Sequence, residues 1–284
     1  MPPLVRTLTS DDTAPLVAYA EEHMGYLGFL AGTVLRYGIE DLGKEYHGTY
    51  VGALHIRGGF RGVAVWYNRG NMGVFAEDED TARLLAEAAV ELRGLPQRLI
   101  GKEDSARAAL SVLALHGAAT DDHERYRAME LHPQNFTRHD APGIRRATED
   151  DIPALARMMA ASFAEQFGTP ADPEGHEREL TEFFAHVRPY VVDADGAPVG
   201  MCLAWGVTER AAEVGGTYVA PEYRGAGLGT AVMSALCADL LPGRRCLALM
   251  AREDNGAALR CYEKLGFAAV GPVLLARLAE GGYW

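Results

Sequence analysis

Two stretches of this chain begin alike. VRTLTSDDTAPL (residues 5–16) and IRRATEDDIPAL (residues 144–155) each lead from a short β-like run, carrying Arg6 or Arg145, through a Thr-x-Asp-Asp cluster into an apolar periodic segment. Thr and Asp are favoured helix N-caps in any protein, so one such match would mark only an ordinary strand-to-helix boundary. Recurrence at about one domain length predicts a tandem duplication. The polar segment LHPQNFTRHDAPG between the copies carries two prolines and ends in a turn signal, which reads as a linker. The expected division is a first domain over 1–133, a linker over 134–142 and a second domain over 143–284.

Within the second copy the pattern predicts a strand near 143–147, then a helix with Ile152, Leu155, Met159 and Phe163 on one face. A helix over 176–187 and three strands near 189–193, 198–207 and 211–219 follow, the first two joined by the turn DADGAP. After a glycine-rich loop come a helix over 227–241, the strand RCLALMA, a helix over 255–265 and two short terminal strands. The first copy repeats much of this, with strands at 49–56, 62–67, 72–76 and 97–101 and helices at 80–92 and 104–116. An antiparallel meander with a later crossover is an α/β architecture of the α+β type, not the strict alternation of a doubly wound dinucleotide fold.

Net charge is −12 and no Lys/Arg run occurs, which disfavours nucleic acid and anionic membrane surfaces as partners. No leader pattern or membrane-length apolar run is visible, and Cys202, Cys237, Cys246 and Cys261 form no C-x-x-C. A cytoplasmic location with reduced cysteines is expected. The nine histidines show no metal-ligating spacing, so metal catalysis is not expected.

The chemistry-bearing stretch is VAPEYRGAGLGTAV (residues 219–232), where Arg224 precedes Gly225, Gly227 and Gly229 at the start of an apolar helix. Alternating glycines ahead of a helix let backbone amides approach an anion closely. A Walker loop would need Lys-Ser/Thr, where this chain has Thr230-Ala231, and the G-x-G-x-G spacing departs from the dinucleotide fingerprint. The matching place in the first copy reads FAEDEDTA, whose Glu77, Asp78, Glu79 and Asp80 suit a helix N-terminus but would repel a phosphate. One anion site per chain is expected.

RGAGLG resembles the Arg/Gln-x-x-Gly-x-Gly/Ala motif of the GNAT superfamily of N-acetyltransferases. TYVAPEY before it and NGAALRCYEKLGF (residues 255–267) after it are similar to that family's fourth strand and later strand-helix-strand signature. The resemblance covers roughly 143–278. It implies two tandem GNAT-like domains, each a mixed, largely antiparallel sheet flanked by helices, the first degenerate. It also implies acetyl-CoA as acyl donor and an amine of a small molecule or protein as acceptor. On the chain, Gly225, Ala226, Gly227, Leu228, Gly229 and Thr230 would offer amides to the pyrophosphate. Arg224 would aid the phosphates or order the turn, and Tyr218 and Val219 would end the strand that pairs with pantetheine. Gly215-Gly216 fit a bulge that splays two strands.

Tyr262 matches the family's position for the proton donor to the departing thiolate, although its stripe with Ala258, Cys261 and Leu265 also suits packing. Glu213 is the candidate base, directly or through water, or else a solvent-facing strand residue. Asn255 either bonds the donor or caps its helix. No Gly-x-Ser-x-Gly elbow is present, so direct attack on the thioester is favoured over a covalent acyl-enzyme. The competing expectation is a non-catalytic acyl-CoA-binding or regulatory protein. Acceptor identity and oligomeric state stay open.

Overall fold

The computed structural model describes residues 3–56, 58–168 and 172–279. The chain forms two compact units. One gathers residues 1–128, 250–254 and 269–284; the other gathers 129–249 and 255–268.

The first unit runs β1 (Leu4–Thr7), α1 (Thr13–Glu22), α2 (Met24–Tyr37), β2 (Gly48–Leu54), β3 (Phe60–Tyr67), β4 (Asn71–Ala76), α3 (Glu79–Arg93), β5 (Arg98–Lys102), α4 (Glu103–Leu115) and most of β6 (Ala119–Leu131). β1 to β4 pair antiparallel in turn, and β4 pairs β5 in parallel. The second unit runs β7 (Ile144–Arg146), α5 (Ile152–Phe167), α6 (Pro173–Val187), β8 (Tyr190–Ala194), β9 (Ala197–Val207), β10 (Ala211–Val219), α7 (Leu228–Leu240), the start of β11 (Cys246–Arg252) and α8 (Gly256–Leu265). β7 to β10 pair antiparallel, and β10 pairs β11 in parallel. The repeat seen in sequence is thus a repeat of topology.

The repeated residues build the same device twice. Arg6 donates to both carboxylate oxygens of Asp12 at 2.7 and 2.6 Å, and Arg145 to both of Asp151 at 2.7 and 2.8 Å. Thr9 and Thr148 each complete a reciprocal capping box with that same aspartate. The facing guanidinium holds each aspartate at about 2. Arg145 adds Asp193 of β8 at 2.6 Å, tying the helix entry to the strand beside it.

Two features depart from the expected layout. The terminal segment forms one continuous strand, β12 (Ala268–Ala279), not two short ones. From residue 269 it lies in the first unit, where Val273–Arg277 pair antiparallel with β5 and Leu274 is buried in that unit's core. A cut that leaves 143–284 as one body therefore differs from the compact units at this strand, at 250–254, which the first unit holds, and at 129–142, which the second holds. Segment 134–142 is also anchored: Thr137 N donates to Leu265 O at 3.0 Å and His139 N to Ser234 Oγ at 2.8 Å. Gly266 has φ +98, and a Cβ there would collide with Asn135 O, which explains the glycine of LGF.

Candidate active site

The second unit's core sits on one face of its sheet, where Leu155, Met159 and Leu180 of α5 and α6 pack against Met201 and Leu203 of β9, with Trp205 and Tyr218 at the margin. On the other face Cys202 Sγ donates to Val232 O of α7 at 3.3 Å. Side chains alternate along a strand, so these contacts fix which way each residue of β10 points.

Pairing of β10 with β11 ends at Glu213 opposite Ala248, although β10 runs on to Val219. Pairing with β9 is displaced between Glu213 and Val214 and again between Gly215 and Tyr218, and Gly216 has φ +59. The glycine pair therefore stands at a bulge, as the sequence suggested. A Cβ on Gly215 would face Trp205, so Glu213, two residues earlier, shares the α5–α6 face. Beyond the bulge, a Cβ on Gly229 of α7 would meet Thr217 Cγ2 at 3.7 Å and Val219 Cγ2 at 3.6 Å, so these two point to the α7–α8 face.

Glu213 Oε2 is buried without a hydrogen-bond partner among the described residues. Desolvation pushes this carboxyl up to about 7. A carboxylate poised there can take a proton at neutral pH. Tyr262, on the inner face of α8, is buried with its ring edge-on to Phe267 at 5.8 Å. Burial raises its phenol, and the nearby Thr217 hydroxyl opposes part of that rise. The phenol stays protonated at neutral pH and is able to donate. Base and acid candidates thus occupy opposite faces of the sheet.

The glycine loop enters α7 through Gly225 at φ +85 and Gly227 at φ +80, with Gly227 as N-cap. Both positions are left-handed and open to added atoms, so conformation requires the glycines. Gly229 is helical and tolerates a Cβ at ordinary contact distance. The first intrahelical bond is Ala231 N to Gly227 O, so Leu228, Gly229 and Thr230 present amides with no helical carbonyl. Ala226 is exposed between the glycines. This exposed helix start fits an anion.

Arg224 orders the turn: Nε donates to Val219 O at 2.7 Å and Nη2 to both Glu165 oxygens at 3.0 and 2.9 Å, while the guanidinium lies 5.3 Å from the Tyr218 ring. Asn255 caps α8, its Oδ1 accepting from Ala258 N at 3.0 Å. Asn255→Ala is expected to lower stability by about 1 kcal/mol, read as a shift in denaturant midpoint. An unchanged midpoint would deny the cap any energetic role. Thr217 and Glu165 are the site residues that sequence reasoning missed. The Gly215-Gly216 pair directly before it marks the first; no sequence signal marks the second.

In the first unit only residues 77–78 separate β4 from α3, against 220–227 between β10 and α7. Asp78 caps α3 by accepting from Thr81 N at 2.8 Å and pairs with Arg61. The helix start is filled by the protein's own carboxylate. No cluster able to hold a metal and no helix long and apolar enough to cross a membrane occur among the described residues.

The model of the acetyltransferase (GNAT) family matches residues 152–267, which span the bulge, the glycine loop and Tyr262. Residues 152–267 form a GNAT domain. A tandem GNAT protein from the clavulanic acid biosynthesis pathway superposes with TM-score 0.58 at 15% identity, covering 99% of both chains. A Drosophila protein gives TM-score 0.68 at 15% identity, covering 97% of this chain and 98% of its own. A GCN5-related N-acetyltransferase from Sphaerobacter thermophilus gives 0.58 at 17%, covering 96% and 94%. At such identities the likeness is one of fold, and that fold is the tandem GNAT arrangement of mixed sheets and helices. No curated protein matches the chain.

Proposed function

We propose that the chain is an acetyl-CoA-dependent N-acetyltransferase whose GNAT domain alone binds the donor. The observation that carries this reading is the opening after Glu213, with an unpartnered carboxyl on one face, a buried phenol on the other and bare helix amides adjacent. Amides of 225–230 hold the pyrophosphate, and the edge of β10 that β11 leaves unpaired, up to Tyr218 and Val219 where Arg224 shares the Val219 carbonyl, receives the pantetheine as an added strand. Glu213 removes a proton from the attacking amine, directly or through water. The nitrogen then displaces the thiolate from the thioester carbonyl, and Tyr262 gives that sulfur its proton. The filled N-terminus of α3 supports a first unit that binds no donor.

The test is thiol release from acetyl-CoA against a panel of small amines and peptides. Acceptor-dependent release is expected, and Tyr262→Phe should reduce its turnover about 10-fold to 100-fold with donor affinity little changed. CoA binding with no release from any acceptor would replace this reading with a non-catalytic binding protein.

A further inference from the structure

One polar group near the opening has no role in that scheme. Thr217 lies in the bulged stretch of β10, outside the register with β9 and beyond the last pair with β11. Its methyl is turned to α7, against the position of a Cβ on Gly229. Its Oγ1 is buried and makes no hydrogen bond among the described residues. A hydroxyl buried alone is destabilising, so such a group calls for a partner in a working state. The neighbouring polar group on that face is the Tyr262 phenol.

Resting on the proposed role of Tyr262 as proton donor, we propose that Thr217 is a positioning residue whose hydroxyl donates to Tyr262 Oη. A phenol oxygen that accepts this bond must direct its own hydrogen elsewhere, toward the sulfur in the opening. When Tyr262 passes that proton to the thiolate, the S–H bond forms, the O–H bond breaks and the phenolate keeps the electron pair. Thr217 retains its own proton and stabilises the new negative charge by a charge-assisted bond. The bond is loose without ligand and tightens when the opening fills, as is common for catalytic contacts.

Thr217→Val keeps the branched shape and removes the hydroxyl; Thr217→Ser keeps the hydroxyl. With hydroxylamine as acceptor, a nucleophile already neutral at neutral pH, thiol release from acetyl-CoA does not depend on Glu213 and reads the leaving-group step. Thr217→Val is expected to lower kcat about tenfold with KM for acetyl-CoA near that of the unmodified protein, and Thr217→Ser to restore most of it. In a Tyr262→Phe background Thr217→Val should add no further loss. A readout without turnover uses CoA and desulfo-CoA in calorimetry: the protein should prefer CoA, and Thr217→Val should narrow that preference while Thr217→Ser keeps it. Unchanged turnover and preference in Thr217→Val, no rescue by Ser, or an equal loss in the Tyr262→Phe background would overturn the proposal while Tyr262 keeps its role. If Tyr262→Phe alone behaves as the unmodified protein in both assays, the proton-donor reading falls and this proposal falls with it.

Discussion

Gly227→Glu is expected to weaken CoA binding by at least about 100-fold, measured by calorimetry. Two effects act together. Residue 227 has φ +80, and an L side chain held in that left-handed region costs about 1–2 kcal/mol, which pulls the loop from its shape. The added carboxylate then stands where the helix amides would meet phosphate, and like charges at about 4 Å repel by several kcal/mol near a protein surface. Gly227→Asn separates the two, because Asn tolerates this conformation and carries no charge; its loss should be much smaller. Binding by Gly227→Glu at unaltered affinity would remove the loop from the donor site.

Glu213→Gln should lower transfer to an alkyl amine by about 100-fold or more, while hydroxylamine supports release at nearly the rate of the unmodified protein. In the unmodified protein the rate should rise with pH through about 7, where the buried carboxyl ionises, and level off above it. Stability should move the opposite way. The folded group titrates at about 7 against 4.5 for an ordinary glutamate, so the fold retains a proton that the unfolded chain releases. Below both values the two states are equally protonated and nothing is lost. As pH rises through this window the folded state is destabilised, fully so above 7, by roughly 3 kcal/mol at 1.36 kcal/mol per unit. Glu213→Gln cannot ionise and should lack this slope. Denaturant midpoints of both proteins at pH 5 and pH 8 read it directly: an identical pH dependence would mean that Glu213 is solvated and not the poised base.

The elements around the site were legible because their signals are local. Strand 211–219 stops just ahead of Ala220-Pro221, and the glycine loop, the apolar helix after it and the Asn-capped α8 each announce themselves within a few residues. The Gly215-Gly216 bulge was readable for the same reason, since paired glycines inside a strand weaken a plain ladder. What sequence left open were choices set by partners far along the chain. Arg224 has equal access to a phosphate or a carboxylate on paper; Glu165, on α5, supplies the carboxylate. Glu213 could have faced water, and only its position beside the end of pairing buries one oxygen without a partner. Two short terminal strands were expected where the chain forms one, because pairing with β5 begins at Val273 and the segment before it, Gly271-Pro272 included, stays extended. The anchoring of 134–142 was equally invisible, because Ser234 and Leu265 lie about a hundred residues away.

The placement of β12 orders events during synthesis. The first unit's helices and its strands β1 to β6 are made before the second unit, yet Leu274 joins their core and Val273–Arg277 cover the edge of β5. Until residues 273–277 are translated, that edge stands open with its backbone groups unpaired, a template for wrong partners. The GNAT domain, made second, has nearly all of its own residues in hand before the older unit receives its final strand. The half of the chain born first is thus the half completed last.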